Sequence, residues 1–101
     1  MARFKELDPI LHSQLRLAVI SLLSAAEVAE FTFIREQTGS TAGNLSIQIT
    51  KLKEAGYIDV TKKFRNNYPQ TLCSITPLGK QKFIEYVNDL KDYLNPDKST
   101  A

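Results

Sequence analysis

Between Thr41 and Gly56 the chain carries a set of short polar side chains at helical spacing whose chemistry suits reading a groove. Gly43, Ser46, Ile47, Thr50 and Lys51 share one face of this stretch, with Asn44 and Gln48 on its flanks. Amides and hydroxyls of this size can pair with base edges in a DNA major groove, and an aliphatic side chain such as Ile47 can meet a thymine methyl. Gly43 would allow close backbone approach. The set lacks the Glu–Lys pairs that usually cover a solvated helix, although a plain solvent face of moderate propensity is the competing reading. Further along, Lys62, Lys63, Arg65, Asn66 and Asn67 fall together, a group able to neutralise phosphates or enter a minor groove.

The charge distribution agrees. The whole chain of 101 residues has a net charge of only +2. Residues 40–82 hold seven basic side chains, Lys51, Lys53, Lys62, Lys63, Arg65, Lys80 and Lys82, against Glu54 and Asp59, a local +5, while the segments on either side are −1 and −2. A basic field concentrated in the middle suits a polyanion, though solubility alone can also produce it. Lys53 and Lys80 read as ordinary surface lysines.

The elements that must position these groups follow from the apolar pattern. Leu45, Ile49 and Leu52 lie on the other face of the 41–55 helix, which Thr41 can cap and Gly56 can end. Ahead of it, Asp8-Pro9 can start a helix whose stripe comprises Ile10, Leu11, Leu15, Ala18, Val19, Leu22 and Leu23. Leu17 and Ile20 fall off that stripe, as if a second subunit covered them. Ser24 to Glu30 reads as a connection and Phe31 to Phe33 as a short strand. Thr32 then caps a helix from Phe33 to Thr38, with Phe33 and Ile34 inward and Gly39 ending it. A tight Gly-containing turn between two helices makes a helix-turn-helix unit.

After Gly56, Tyr57 to Arg65 alternates as a strand, Asn66 to Gln70 has turn chemistry, and Thr71 to Thr76 forms a return strand with Cys73 and Ile75 inward. Thr76-Pro77 opens a last helix with Leu78, Phe83, Val87, Leu90 and Leu94 at helical spacing, stopped by Asn95-Pro96. The expected fold class is α+β, mainly α. It is one domain over residues 1–95, with a disordered tail at 96–101 and an N-terminal Met1 to Leu7 that frays or leans on a partner.

As a set, LDPILHSQLRLAVISLL, FTFIREQTGSTAGNLSIQITKLKEAGYIDV and ITPLGKQKF resemble small MarR/ArsR-like winged helix-turn-helix transcriptional regulators over Asp8 to Leu94. The resemblance implies a winged helix with a two-stranded β-hairpin wing and a long C-terminal helix. It implies a homodimer built on the first and last helices, with Leu17, Ile20, Phe83, Tyr86, Val87, Leu90 and Leu94 as interface candidates. Helix 41–55 would enter the major groove of double-stranded DNA through Thr41, Gly43, Asn44, Ser46, Ile47, Gln48, Thr50 and Lys51, and the 57–76 hairpin would meet backbone or minor groove. Gln48-Ile49 departs from the His-Leu often found there in that family, so no base preference carries over. With no separate activation or sensor domain, repression by promoter occlusion is the expected mode. The rival reading is a winged-helix module that binds protein through the same faces, which should show larger aromatic or aliphatic anchors.

Other chemistry finds little support. No Gly-rich phosphate loop, metal-ligand set or Ser–His–carboxylate arrangement is visible, so no enzyme activity, metal or cofactor is expected. His12, the only histidine, reads as a partly buried polar residue. Cys73, the only cysteine, fits a reducing interior and reads as a small inward hydrophobe. Tyr57 and Tyr68 read as packing at the root and tip of the wing. No apolar run approaches the roughly 20 residues that span a bilayer, so a cytoplasmic protein without membrane partners is expected. Any small-molecule effector is unknown.

Overall fold

The structure, a computed structural model, describes residues 3–96. The tail expected at 96–101 therefore lies, beyond Pro96, outside the described residues. The elements run α1 (Gln14–Ala26), β1 (Val28–Glu30), α2 (Phe31–Thr38), α3 (Ala42–Glu54), β2 (Ile58–Arg65), β3 (Tyr68–Ile75) and α4 (Pro77–Leu94). Leu11, Val19, Ile20, Leu23, Ile34, Leu45, Ile49, Leu52, Ile58, Cys73 and Tyr86 form one core between the helices and the inner face of the sheet.

Helix α1 begins later than Asp8-Pro9 suggested. Asp8 does cap, but it caps a turn: its Oδ1 accepts from the Ile10 amide at 2.8 Å and its carbonyl accepts from the His12 amide. The helix proper starts after Ser13 and continues to Ala26, through part of the expected connection. It ends at Glu27, whose φ of 68° reverses the chain. The Glu27 amide closes onto the Leu23 carbonyl and its own carbonyl accepts from Ile75, so the reversal ties α1 to β3.

That tie produces a third strand. Val28, Ala29 and Glu30 pair with Ser74, Cys73 and Leu72, giving an antiparallel sheet in the order β1-β3-β2 where a two-stranded wing was expected. The strand anticipated at Phe31–Phe33 is instead the first turn of α2. Thr32 does not cap it, and Phe33 is exposed while Ile34 is buried. The register error is three residues, because aromatic content drew the strand toward Phe31 when the pairing edge on β3 decides its place.

The turn at the wing tip contains two residues only. Asn66 and Asn67 have φ of 51° and 66°, the pair of positive values a two-residue hairpin demands and asparagine tolerates. Pro69, expected in the turn, lies in β3 opposite Phe64. In such a hairpin that pair exchanges no hydrogen bonds, so the missing N–H points away from β2. On that side β1 has already stopped, at Glu30 opposite Leu72.

One junction locks α3, the wing and α4 together. The Thr76 hydroxyl accepts from the Gly79 amide at 3.0 Å as N-cap of α4 and donates to the Gly56 carbonyl at 2.7 Å. Gly56, with φ of 82°, ends α3. A Cβ on Gly79 would stand 2.1 Å from the Tyr57 carbonyl oxygen, so α4 can approach the α3–β2 link this closely only with glycine there.

Candidate nucleic-acid interface

Helix α3 is seated from below and bare above. Leu45, Ile49 and Leu52 are buried, as their spacing predicts. The Thr41 side chain accepts from the Asn44 amide at 3.1 Å, the expected cap, so its hydroxyl is already engaged in holding the helix start. Gly39, with φ of 65°, makes the turn from α2, where the Thr38 hydroxyl bonds the Ile34 carbonyl and Ser40. Gly43, Asn44, Ser46, Ile47, Thr50 and Lys51 are exposed together, and Ile47 keeps 56% of its surface in solvent. The Thr50 hydroxyl donates to the Ser46 carbonyl at 2.9 Å, leaving its methyl and its oxygen lone pairs for a partner.

Gln48 differs from the others. It is half-buried, and both ends of its amide are engaged: Oε1 accepts from Arg16 and Nε2 donates to Asn44 Oδ1 at 3.1 Å. Arg16 escaped the sequence reading. It stands three, four and seven residues before Val19, Ile20 and Leu23, on the buried stripe of α1, and a basic residue on such a stripe is the signal that it is held by partners.

On the wing, Lys62, Lys63, Arg65, Asn66 and Asn67 are all exposed, and nothing beyond Val60 on β2 is buried. Asn66 and Asn67 already serve the turn. Beside them Phe64 and Tyr68 keep 79% and 74% of their surface, so Tyr68, expected to pack at the tip, lies open there, and Phe64 is an aromatic exposure the sequence reading did not single out.

The residues expected at a subunit interface divide. Ile20 is wholly buried and Tyr86 nearly so, both within the chain's own core, so Ile20 is not the exposed surplus first supposed and Tyr86 is spent on the core half of its expected role. The reason is that α1 is covered on two sides, by the helices and by β3. Leu17, Phe83 and Leu90 are partly buried against that core, Val87 is half-buried and Leu94 is exposed. Ile84, not singled out in sequence, is 59% exposed and shares a helical face with Val87 and Leu94. The N-terminal segment packs on α4: the rings of Phe4 and Tyr93 lie 5.1 Å apart, and the Tyr93 hydroxyl donates to the Lys5 carbonyl.

The remaining reactive groups serve structure. His12 sits in the turn before α1 and is exposed, with Nδ1 3.0 Å from the Tyr86 hydroxyl. Tyr57 is buried at the wing root and donates to Asp8 Oδ2 at 2.6 Å; burial, then that carboxylate, push its phenol well above the usual range. Burial pushes the Cys73 thiol up to about 11, which disfavours the reactive thiolate. Among the described residues no group of three or more His, Cys, Asp and Glu converges as a metal site, and no helix is long and apolar enough to cross a membrane.

Known proteins resemble this chain in sequence or in fold. A Methanocaldococcus jannaschii protein, the uncharacterised MJ0432, is 30% identical over 81 residues, 80% of this chain and 88% of its own. The structure of a transcriptional regulator homologue from Pyrococcus horikoshii superposes with a TM-score of 0.81 at 26% identity, covering 86% of both chains. The zinc-responsive MarR family member ZitR of Lactococcus lactis shares the fold with a TM-score of 0.64 at 19% identity, over 99% of this chain and 66% of its own. Residues 15–94 match the winged helix DNA-binding domain. With the helix-turn-helix, the hairpin wing and that match over most of its length, the chain belongs to the winged helix DNA-binding domain family.

Proposed function

We propose that the protein is a sequence-specific, homodimeric transcriptional regulator that represses by occluding a promoter. Helix 41–55 lies in the major groove and the 57–76 hairpin rests on backbone or minor groove. The observation that carries this reading is the exposed, short-polar outer face of α3, mounted on a buried apolar face and flanked by a basic wing. Lys51, Lys62, Lys63 and Arg65 neutralise phosphates and supply affinity without sequence information. Asn44, Ser46, Ile47 and Thr50 face the bases. Two copies of α3 in a dimer would meet successive major grooves about 34 Å apart. Support for the dimer comes from α4, where Ile84, Val87 and Leu94 line up with two of the three exposed. Occlusion needs nothing beyond occupancy of the promoter, and no catalytic step or effector is invoked.

The test is fluorescence anisotropy with the gene's own upstream DNA and a scrambled duplex at two salt concentrations. Preference for the upstream DNA, with affinity falling steeply as salt rises, is the expected result. Absence of binding to either duplex at low salt rejects it. Light scattering should give the mass of two chains, and Ile84→Asp, on an exposed position, should reduce it to one. A second reading, docking of a protein partner, has the exposed Phe64 and Tyr68 in its favour, because aromatic side chains are the usual anchors of protein interfaces. Loss of DNA binding on removing the wing lysines, with no loss on Phe64→Ala, separates the two.

A further inference from the structure

A chain of hydrogen bonds reaches the outer edge of α3 from another helix. Arg16, on α1, sends Nε to the Ile10 carbonyl at 2.6 Å, one terminal nitrogen toward the Pro9 carbonyl and the other to Gln48 Oε1. Gln48 Nε2 then donates to Asn44 Oδ1 at 3.1 Å, one helical turn back. Donor chemistry gives this chain a direction. A guanidinium has donors only, so the Gln48 atom that meets it must be the oxygen. The Gln48 nitrogen is thereby turned to Asn44, which must answer with its own oxygen. What remains of the exposed Asn44 amide is Nδ2, a donor. Amide orientations that are otherwise interchangeable are thus set by one arginine buried in part against the turn before α1.

We propose that Arg16 is a positioning residue for base reading: by orienting Gln48 and through it Asn44, it makes α3 present N–H donors, which select acceptor-bearing base edges, guanine O6 and N7 foremost. Clamping adenine requires the oxygen and nitrogen of one amide to face the base together. Gln48 has both ends turned to protein partners and Asn44 has its oxygen turned to Gln48, so neither aims that pair at a base. The inference rests on α3 as the major-groove helix proposed above.

Selection of sites from a randomised duplex pool tests it, with the wild type, Gln48→Glu and Arg16→Met compared. The wild type should enrich guanine at one position in each half-site. Gln48→Glu keeps an acceptor for Arg16 but offers Asn44 an acceptor where it had a donor. The Asn44 amide then turns over, donates inward and exposes Oδ1, and the preferred base at that position should become one with a donor edge, cytosine or adenine. The expected change in relative affinity is tenfold or more, with thermal stability kept. In the free protein, Arg16→Met should move the side-chain amide signals of Asn44 in a 1H–15N spectrum, although no hydrogen bond joins the two residues directly. If Arg16 only anchors Pro9 and Ile10, its loss lowers the melting temperature and leaves both the selected base and the Asn44 signals unchanged, which overturns the proposal. A selected site that Gln48→Glu does not alter overturns the relay alone. A wild type that enriches no site overturns the major-groove reading itself, and the relay's role falls with it.

Discussion

The two surfaces proposed to meet DNA are built in opposite ways. Helix α3 has three buried leucine or isoleucine anchors, a side-chain cap and an amide network reaching α1. The wing beyond Val60 has no buried residue and is held by its own ladder, a two-asparagine turn and, near its root, Glu30 of β1, which pairs with Leu72 and accepts from Gln70 Nε2 at 2.7 Å. A surface that must discriminate base edges gains from fixed geometry, since each donor has to stand at hydrogen-bond distance from one atom. A surface that meets phosphates needs charge and reach, and a hairpin projecting from the core supplies both without fixed side chains. If the two surfaces meet DNA as proposed, the difference teaches that readout and affinity are separable.

The sharpest break of that comparison is in stability. Leu52→Ala should cost about 2–5 kcal/mol, the range for emptying a packed core site, whereas Phe64→Ala should change stability by less than about 0.5 kcal/mol. Urea denaturation of the two variants checks this, and comparable losses would show that the wing is packed after all. Next is Ile47→Ala, which should relax selectivity at one base pair by about 1–3 kcal/mol and leave the salt dependence alone. Binding to a panel of single-base site variants measures it; unchanged selectivity removes Ile47 from the readout. Lys63→Ala and Arg65→Ala should act in the converse way. Each weakens all duplexes alike and lowers the slope of log affinity against log salt by about 1.

A smaller effect concerns the root that both surfaces share. Cys73 keeps its proton to about 11 in the fold against an ordinary 9.0. Between those values the unfolded chain has lost a proton that the folded chain retains. The Cys73 contribution to stability should therefore be constant well below pH 9 and fall by about 2 kcal/mol toward pH 11, with Tyr57 adding in the same direction. Chemical denaturation across that range should show the slope, and Cys73→Ala should reduce it.

Much of the candidate site was legible in the sequence because helical periodicity is local. The buried Leu45, Ile49 and Leu52 specify which face of α3 is left over, and Thr41 and Gly56 mark its ends. The hairpin was legible for the same reason, with alternation marking Tyr57 to Arg65 as a strand and naming Cys73 as inward on its return. What escaped depends on partners distant in sequence. Strand β1 exists because β3 offers Val28–Glu30 an edge, a fact with no trace in the composition of residues 28–30. Ile20 looked available because covering by a second element is invisible along one helix.

The amino-acid sequence by itself determined the order of elements, the outward face of α3 and the clustering of positive charge, since these follow from spacing and residue type within a few turns of chain. Only the tertiary structure decided the third strand, the close approach at Gly79 and the link from Arg16 to Gln48 and Asn44. Those rest on hydrogen bonds and contacts between groups 20 to 40 or more residues apart, whose geometry exists only once the core has closed.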